Sequence, residues 1–414
     1  MKTAPTSLPE SSNEAPPEQQ RRDGCRYGRA MTFADSVSLE DLEVDPDPIL
    51  AKLRAEAPVC FVPSLDMWLV TKWDDVAVME ATPEVFTAAT EPSFLARALG
   101  RNMLTMDPPE HTRLSEIFKP PFLSSGRSGP FVTEELSVLA DRLLDAVDPG
   151  GFDVMADYAQ PLSAGSLAIV LGLDHHGFDT MWSWCEGLCG DVANFANDPE
   201  LTAKADAAKH ELGEAIEERI AKAANSDNSA IARFVQAGAT TEEIVNNVRL
   251  MISGGINEPR DGIGLVTWVL LTQPEVRSRI EAEPAKLRRL IEEVFRVYSP
   301  VGTVTRQTTR DVELAGVSIP KGALVSGVLR SINLDEDHWT NPTMIDLDRR
   351  EGSHAAFALG AHRCLGEWLG RQEVKVGVER LFEQFPNLKL DDSRGDVEVR
   401  GFEFRGPSSV LVLT

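Results

Sequence analysis

The chain has 414 residues, a composition ordinary for a globular protein and a formal net charge of −24. This acidic balance argues against binding to nucleic acid or to anionic membranes, because both need basic protein surface. No apolar run approaches the roughly 18 residues that a membrane-spanning helix requires. The five cysteines form no even disulfide framework, so we expect a cytoplasmic protein.

The N-terminal part divides into a tail and the start of a folded unit. Residues 1–30 are rich in proline, serine and glutamate, which predicts a disordered tail ahead of one folded domain at residues 31–414. The pattern then predicts helices at 48–57 and 73–81, with a hairpin of strands 59–62 and 67–70 between them. Residues 86–103 lack periodicity and predict a long mobile loop.

The middle of the chain, residues 108–300, is predicted to be mostly helical. Amphipathic stretches indicate helices at 134–147, 155–171, 178–194, 201–224 and 241–271. Short strands are predicted at 304–308, 312–314, 317–319 and 324–328. The last segment, 402–414, predicts a hairpin with Gly406 and Pro407 at its turn. The predicted fold class is therefore mainly α with small β-sheets.

The predicted helix at 241–271 contains an unusual segment, residues 254–261, with the sequence GGINEPRD. Inside a helix, glycine costs about 1 kcal/mol and proline about 3 kcal/mol relative to alanine. Pro259 also leaves the carbonyl of Gly255 without its helical donor, so a kink or local widening is expected. Two interpretations of Asn257 and Glu258 stay open, since they can take part in chemistry or only cap a helix break.

The most informative segment is residues 357–366, FALGAHRCLG, which place Cys364 just before a predicted helix at 367–385. A cysteine thiolate is a strong ligand for iron, and glycine lets a flat cofactor approach the backbone. A free thiol titrates at about pH 8.5, so the thiolate needs stabilisation. The unpaired N–H groups and the dipole at a helix N-terminus provide it. The alternative is a buried structural cysteine.

Arranged as FxxGxHxCxG, these residues resemble the heme-binding loop of the cytochrome P450 family, and the resemblance covers residues 35–414. It implies the cytochrome P450 fold and a heme b cofactor whose iron is bound by Cys364. At position 115 the family carries an arginine where this chain has serine, so Arg113 or Arg101 is expected to contact a heme propionate instead. The cofactor-binding residues implied are Cys364, His362, Arg306, His111, Arg113, Phe357, Gly360, Gly366 and Gly255.

The resemblance implies roles for two further sequence patterns. Glu293 and Arg296 form an ExxR pattern, for which the resemblance implies a buried structural ion pair completed by residues 346–350; a surface pair is the alternative. Asn257 and Glu258 stand where most family members carry an acid followed by an alcohol. We predict both as catalytic residues, with the Glu258 carboxyl relaying protons during oxygen activation.

Finer resemblances concern the substrate. The GGxNEPRD run is similar to heme domains related to thiocarbamate monooxygenases and to self-sufficient, reductase-fused P450s. The amide–Glu–Pro arrangement and the C-terminal FEFRGPSS are similar to bacterial aromatic O-demethylases of the guaiacol type. These likenesses predict a small apolar or aromatic substrate. The predicted substrate-pocket residues are Ile256, Val301, Val304, Phe402, Phe404, Val192 and Phe195.

The resemblance implies a monooxygenase that inserts one oxygen atom of O2 into a small organic molecule, by hydroxylation or oxidative O-dealkylation. Only fifty residues follow Cys364, so electrons are expected from NAD(P)H through a separate ferredoxin and reductase. Two alternatives stay open. One is a peroxide-driven heme peroxygenase on the same fold, and the other is a non-catalytic heme sensor.

Overall fold

A computed structural model describes residues 32–224 and 227–414. The predicted tail at residues 1–30 lies outside the described residues. Helices dominate the described part, as predicted, because long amphipathic stretches supply apolar faces that pack on one another. The α-helices are α1 Leu39–Val44, α2 Pro46–Glu56, α3 Trp73–Ala81, α4 Phe94–Leu99, α5 Glu110–Phe118, α6 Ser128–Pro130, α7 Leu136–Leu144, α8 Gln160–Leu171, α9 Phe178–Val192, α10 Pro199–Ala221, α11 Ala230–Gln236, α12 Thr241–Thr272, α13 Pro274–Ala282, α14 Leu287–Tyr298, α15 Leu329–Ile332 and α16 Glu367–Gln384.

The strands are short and lie at the periphery of the helical body. One sheet of five strands has the order β1-β2-β8-β5-β3, in which β1 and β2 form the predicted hairpin and β2 runs parallel to β8. A three-stranded sheet, β4-β12-β9, and two pairs, β6-β7 and β10-β11, complete the set among the described residues. The strands are β1 Val59–Val62, β2 Met67–Val70, β3 Phe86–Thr87, β4 Phe152–Asp153, β5 Thr303–Thr308, β6 Val312–Leu314, β7 Val317–Ile319, β8 Leu324–Val328, β9 Lys389–Leu390, β10 Val399–Arg400, β11 Gly406–Pro407 and β12 Leu411–Leu413.

Two sequence predictions about loops are wrong. The segment 86–103 contains strand β3, which pairs with β5, and helix α4, whose N-terminus is capped by Ser93 through its hydroxyl and the Ala96 amide at 3.1 Å. The C-terminal segment is not a hairpin turning at Gly406 and Pro407. Those two residues form β11 against β10, while β12 pairs with β4 and β9, so the chain reverses upstream instead.

Helix α12 is the central element of the helical body. Thr240 and Glu243 form a reciprocal capping box at its start, with bonds of 3.2 Å and 2.8 Å. It then packs against α8, α9, α14 and α16, so most of its residues are buried. The helix continues through Pro259 without interruption. One face of α12 is therefore held at a fixed distance from the N-terminus of α16.

Among the described residues, no helix is long and apolar enough to cross a membrane.

Candidate active site

The segment before α16, residues 357–366, forms what we term the cysteine loop. The Cys364 amide donates to the Phe357 carbonyl at 3.0 Å, which closes the loop and places the thiol just before α16. Gly360 has φ +65°, and a side chain there would press on the Glu80 backbone oxygen at 2.8 Å. Gly360 therefore serves the close contact with α3 and does not line the cavity predicted for the cofactor, which corrects its assignment.

The Cys364 thiol faces a cavity inside the protein. Its accessible surface lies in that cavity, and burial raises its pKa to about 11, while a hydrogen bond from the Gly366 amide opposes the rise. A thiol with this pKa is protonated at neutral pH, and a bound metal ion displaces that proton because metals bind thiolates. The thiol is thus placed for a metal that brings its own positive charge.

We call this space the central cavity. It lies between the cysteine loop and one face of α12, and its walls are mostly apolar. Helical periodicity explains which α12 residues reach it, because positions three or four apart share a face. The α12 residues that line it are Leu250, Met251, Ser253, Gly254, Gly255, Glu258 and Pro259.

Three basic side chains meet at one edge of the central cavity. The rings of His111 and His362 lie 4.3 Å apart, and Arg306 completes the group. Both ring nitrogens of His362 and Nδ1 of His111 are buried and have no hydrogen-bond partner in the part of the chain that the structure describes. Burial lowers the pKa of His111, and burial with the nearby Arg306 and His111 lowers that of His362 to about 3.

Such unpartnered polar groups call for an acidic partner, because burying them unpaired is costly. Heme carries two carboxylates, and a thiol, two histidines and an arginine around one cavity fit it. Arg306 already donates to Glu80 Oε2 at 2.6 Å, so Glu80 shares this cation. The residues present therefore fit a heme: Cys364 would bind its iron, and His111, His362 and Arg306 would bind its carboxylates.

Arg113 does not take part in this edge, which corrects its prediction. It lies on α5 two residues after His111, and a rotation of about 200° along a helix turns it away. Its guanidinium is instead exposed and pairs with Glu110 at 2.8 Å and with Glu243. Arg101 does not line the central cavity either, whereas Ser115 does.

On α12, the structure separates residues that the sequence analysis grouped. Glu258 lines the central cavity, its Oε2 is buried without a hydrogen-bond partner, and burial raises its pKa well above the ordinary value. Asn257 points elsewhere and donates to Asp261 Oδ2 at 3.3 Å. Ile256 is fully buried in the main core. Neither residue lines the central cavity, because both lie on another face of α12, so the structure does not support the catalytic prediction for Asn257 or the pocket prediction for Ile256.

Behind the cysteine loop, charged residues form an extensive network. Glu293 pairs with Arg296 at 2.9 Å and with Arg349 at 2.9 Å, all three being buried. Glu293 Oε2 also accepts from the Asp346 amide at 2.9 Å. A second group joins Arg371 to Glu292 at 2.6 Å. These contacts connect α14, the segment 346–349 and α16, so they fix the geometry beneath Cys364.

Phe357 bridges this network and the central cavity. Its ring packs edge-on against Phe295 with centroids 5.4 Å apart, and the Arg371 guanidinium lies 4.1 Å from its centroid. The cation therefore stacks on the aromatic face, an arrangement that favours a fixed ring position. Phe357, Gly366 and Gly255 all line the central cavity.

Of the six other residues predicted for the substrate pocket, the structure places all but one on the central cavity. Five of the predicted side chains line the central cavity: Val192, Phe195, Val301, Val304 and Phe404. Phe402 does not line it, because it is 2% exposed and packs into a second core cluster with Val328 and Leu42. Its ring lies 6.3 Å from that of Phe195, so it supports the pocket wall from behind.

Sequence reasoning missed three acidic residues of the site. Glu80, Glu373 and Glu403 approach or line the central cavity, and burial raises the pKa of each. Glu373 is 1% exposed and its Oε1 has no hydrogen-bond partner. Its place on an otherwise buried stretch of α16 was a usable signal, because a carboxylate rarely belongs on an apolar helix face. No comparable pattern marks Glu80 or Glu403.

Comparison with known proteins shows the family to which the chain belongs. The family model described as Cytochrome P450 matches residues 199–397. Nocardicin C N-oxygenase of Nocardia uniformis subsp. tsuyamanensis is 30% identical over 393 residues, which cover 87% of this chain and 92% of that protein. The 6-deoxyerythronolide B hydroxylase of Saccharopolyspora erythraea is 27% identical over 392 residues, with coverages of 89% and 95%. The ligand-free structure of cytochrome P450 TbtJ1 matches with a TM-score of 0.80 and 27% identity, covering 88% of this chain and 96% of that one.

A thiol that faces an internal cavity, the basic groups at one edge of that cavity and these relatives together define a heme-thiolate oxygenase. The chain belongs to the cytochrome P450 family. It is a heme b monooxygenase, and monooxygenases of this family use O2 and redox partners to oxidise small molecules. The relatives named above are enzymes by name, which speaks against the sensor alternative.

Proposed function

We propose that this protein inserts one oxygen atom of O2 into a small, mainly apolar substrate held in the central cavity, by hydroxylation or by oxidative O-dealkylation. The single observation that supports this most is that the Cys364 thiol and the Glu258 carboxyl line one apolar cavity. Heme bound through Cys364 supplies the oxidising chemistry, since thiolate donation favours O–O cleavage. The chain's own residues hold the cofactor, orient the substrate and move protons.

Glu258 is the proposed proton relay. Burial raises its pKa, which favours the protonated carboxyl, and a carboxyl on the cavity wall can donate a proton into the cavity and be reprotonated. Oε2 has no hydrogen-bond partner within residues 32–224 and 227–414, so it is available for this exchange. Asn257 has no part in this relay, because it is bound to Asp261 on another face.

The apolar walls support an apolar or aromatic substrate. Phe195 and Phe404 present aromatic rings to the cavity, and Val301 and Val304 add aliphatic surface. An aromatic ether of the guaiacol type fits such walls, in keeping with the C-terminal sequence likeness. Oxidation of its methyl group would produce a hemiacetal that collapses to a phenol and formaldehyde. NAD(P)H would supply two electrons and one proton, and solvent the second proton, so that the other oxygen atom of O2 leaves as water.

We further propose that the electrons arrive from NAD(P)H through a ferredoxin and its reductase in the cytoplasm. Arg363 is the arginine of the cysteine loop, and its side chain is 39% exposed while paired with Glu367 at 2.8 Å. An acidic ferredoxin would be recognised by local charge here, since the protein as a whole is acidic.

The test of the proposed function is the spectrum of the reduced protein with carbon monoxide. The heme-loaded protein should show the band typical of thiolate-bound heme. Cys364→Ser should lose that band, and Cys60→Ser, a buried thiol on β1 outside the central cavity, should keep it. A thiolate band that survives in Cys364→Ser would contradict the assignment.

A second candidate is a peroxygenase that uses hydrogen peroxide without redox partners. The observation in its favour is the ionisable Glu258 carboxyl in the cavity, since a carboxylate can take a proton from peroxide. Comparing product formed with hydrogen peroxide alone and with NADH, ferredoxin and reductase distinguishes the two. Faster turnover with peroxide alone would favour the peroxygenase.

A further inference from the structure

The wall of the central cavity includes the carboxyl group of Glu403, in a segment where the sequence analysis predicted only aromatic side chains for the pocket. Glu403 lies between Phe402 and Phe404 and lines the cavity together with Thr303 of β5. The Thr303 hydroxyl and Glu403 Oε2 are 2.6 Å apart, so the carboxyl is held on one side by a neutral donor. Its other oxygen is not used in any protein hydrogen bond among the described residues.

The backbone fixes the position of this carboxyl. The segment 401–405, which we call the C-terminal loop, is joined to the start of β5 by two backbone hydrogen bonds. The Gly302 amide donates to the Glu403 carbonyl at 2.8 Å, and the Arg405 amide donates to the Pro300 carbonyl at 2.9 Å. A side chain at Gly302 would lie 1.8 Å from the Phe402 carbonyl oxygen, so only glycine permits this approach.

The other side of the C-terminal loop is tied to the N-terminal helices. The Gly401 amide donates to the Glu43 carbonyl at 2.8 Å, and the Phe402 amide donates to Glu43 Oε2 at 3.2 Å. The loop is thus held from both sides. The backbone position of Glu403 in the cavity wall is therefore fixed by hydrogen bonds on both sides of the C-terminal loop.

Among the described residues, the negative charge of an ionised Glu403 carboxylate is not balanced by a neighbouring cation. No lysine, arginine or histidine of the described residues forms an ion pair with it. The charged groups near it are acidic, namely Glu43 from α1 and Glu258 from α12. Arg405, two positions later, donates instead to the Gly401 carbonyl at 3.3 Å. Burial raises the pKa of Glu403 to about 7. Near neutral pH an ionised fraction of this group therefore lacks a positive partner.

We propose that Glu403, held by Thr303, binds a cationic amino group at one end of an otherwise apolar substrate. This inference rests on the proposed function and narrows its substrate class. In a cavity with apolar walls the attraction between opposite charges is much stronger than in water, so a cation gains more there than a neutral donor does. The substrate's apolar body would then occupy the region lined by Phe195, Phe404 and Val304.

The experiment compares matched ligands on the heme-loaded protein by titration calorimetry at pH 8. The probes are 3-phenylpropyl-trimethylammonium, which cannot coordinate iron, its neutral tert-butyl carbon analogue and 3-phenylpropanol. The wild-type protein should bind the cation about tenfold more tightly than the neutral analogue, equivalent to ~1.4 kcal/mol. In Glu403→Gln the preference should vanish, while the Kd of the neutral analogue should change by less than about twofold.

Controls separate a local effect from a folding effect and from a failure of the proposed function. Glu43→Gln keeps an acceptor for the Phe402 amide and does not line the cavity, so it should retain the preference for the cation. For the wild type, that preference should grow between pH 6 and pH 8 as Glu403 ionises. Each variant is first checked for the thiolate band with carbon monoxide.

Two outcomes would overturn the proposal. One is an unchanged cation preference in Glu403→Gln with the thiolate band intact, which would leave the proposed function standing. The other is tighter binding of 3-phenylpropanol than of the cation, lost in Glu403→Gln, because Glu403 would then recognise a neutral hydroxyl. Absence of the thiolate band in the wild type would reject the proposed function itself.

Discussion

The network behind the cysteine loop and the central cavity differ in whether their buried acidic side chains have positively charged partners. Behind the loop, Glu292 and Glu293 are each paired with at least one cation. In the cavity, Glu258 and Glu403 have no cation within ion-pair distance among the described residues. Burial tends to raise the pKa of all four carboxyl groups. Only Glu292 and Glu293 have positively charged partners, and these lower the pKa by more than burial raises it. The pKa of Glu292 is lowered to about 2, and that of Glu403 is raised to about 7.

This contrast separates residues that hold the structure from residues that remain available to ligands. A buried carboxylate with cations has a fixed charge and a fixed position, which suits the support of a metal ligand. A buried carboxyl without cations changes its charge easily and still has acceptor capacity. It is therefore available to a proton or to a positively charged substrate.

The largest effect is expected from Arg296→Met, behind the cysteine loop. The substitution removes both bonds to Glu293 and the donors to the carbonyls of Asn333, Pro342 and Met344. Breaking a buried ion pair on one side costs about 3–5 kcal/mol. Urea unfolding of the heme-loaded protein should show this loss together with earlier heme release.

The control for this prediction is an ion pair of the same type on the surface. Arg279 and Glu283 form an i,i+4 pair with side chains 43% and 48% exposed. Arg279→Met should leave the unfolding curve nearly unchanged, because solvent screens exposed pairs. Equal losses for Arg296→Met and Arg279→Met would mean that the buried network does not support the cysteine loop.

The next effect concerns proton delivery in the central cavity. Glu258→Gln keeps the size of the side chain but removes its exchangeable acidic proton. Product formation should fall by about 10²-fold, within the range of general acid–base contributions, while peroxide release per NADH rises. The measurement is the ratio of product and of hydrogen peroxide to NADH consumed, at unchanged heme content.

Asn257→Ala provides the neighbouring control. Asn257 lies on another face of α12 and is bound to Asp261, so its loss should leave the ratio of product to NADH unchanged. If Asn257→Ala uncoupled the reaction as strongly as Glu258→Gln, the helix segment as a whole would be responsible. The relay would then not be assignable to the Glu258 carboxyl.

The sequence predicted what depends on local patterns. Helices such as α9 and α12 and the β1–β2 hairpin were found because their apolar periodicity is local. The position of Cys364 next to the N-terminus of α16 followed from ten consecutive residues. The main helical body and the position of the cysteine loop could therefore be predicted from the sequence itself.

The errors arose where long-range contacts decide between adjacent residues. Whether Gly406 and Pro407 form a turn depends on their pairing with β10, which no local pattern reveals. In the C-terminal loop, the aromatic Phe402 was predicted for the pocket and the neighbouring Glu403 was not. Bonds from Gly302 and Glu43 to this loop set its orientation, and they come from about 100 and about 360 positions away in the chain.

The smallest effect is a change in stability with pH that has opposite signs in the two regions. The folded-state pKa of Glu403, about 7, lies above its unfolded value near 4.5, so its contribution to stability is present below pH 4.5 and is lost as the pH rises to 7. Glu403→Gln should therefore match the wild type at pH 5 and exceed it by about 1–2 kcal/mol at pH 8. Urea unfolding at both pH values measures the difference.

Glu292→Gln should behave in the opposite way. The folded-state pKa of Glu292 is lowered to about 2 by His354 and Arg371, so its contribution is present above pH 4.5 and fades as the pH falls towards 2. The variant should be less stable than the wild type at both pH 5 and pH 8. Stabilisation of Glu403→Gln at pH 8 would show that the cavity carboxyl costs stability, as ligand-binding groups commonly do. Equal stability at pH 8 would mean that a protein cation already neutralises Glu403, which would remove the basis for a positively charged substrate.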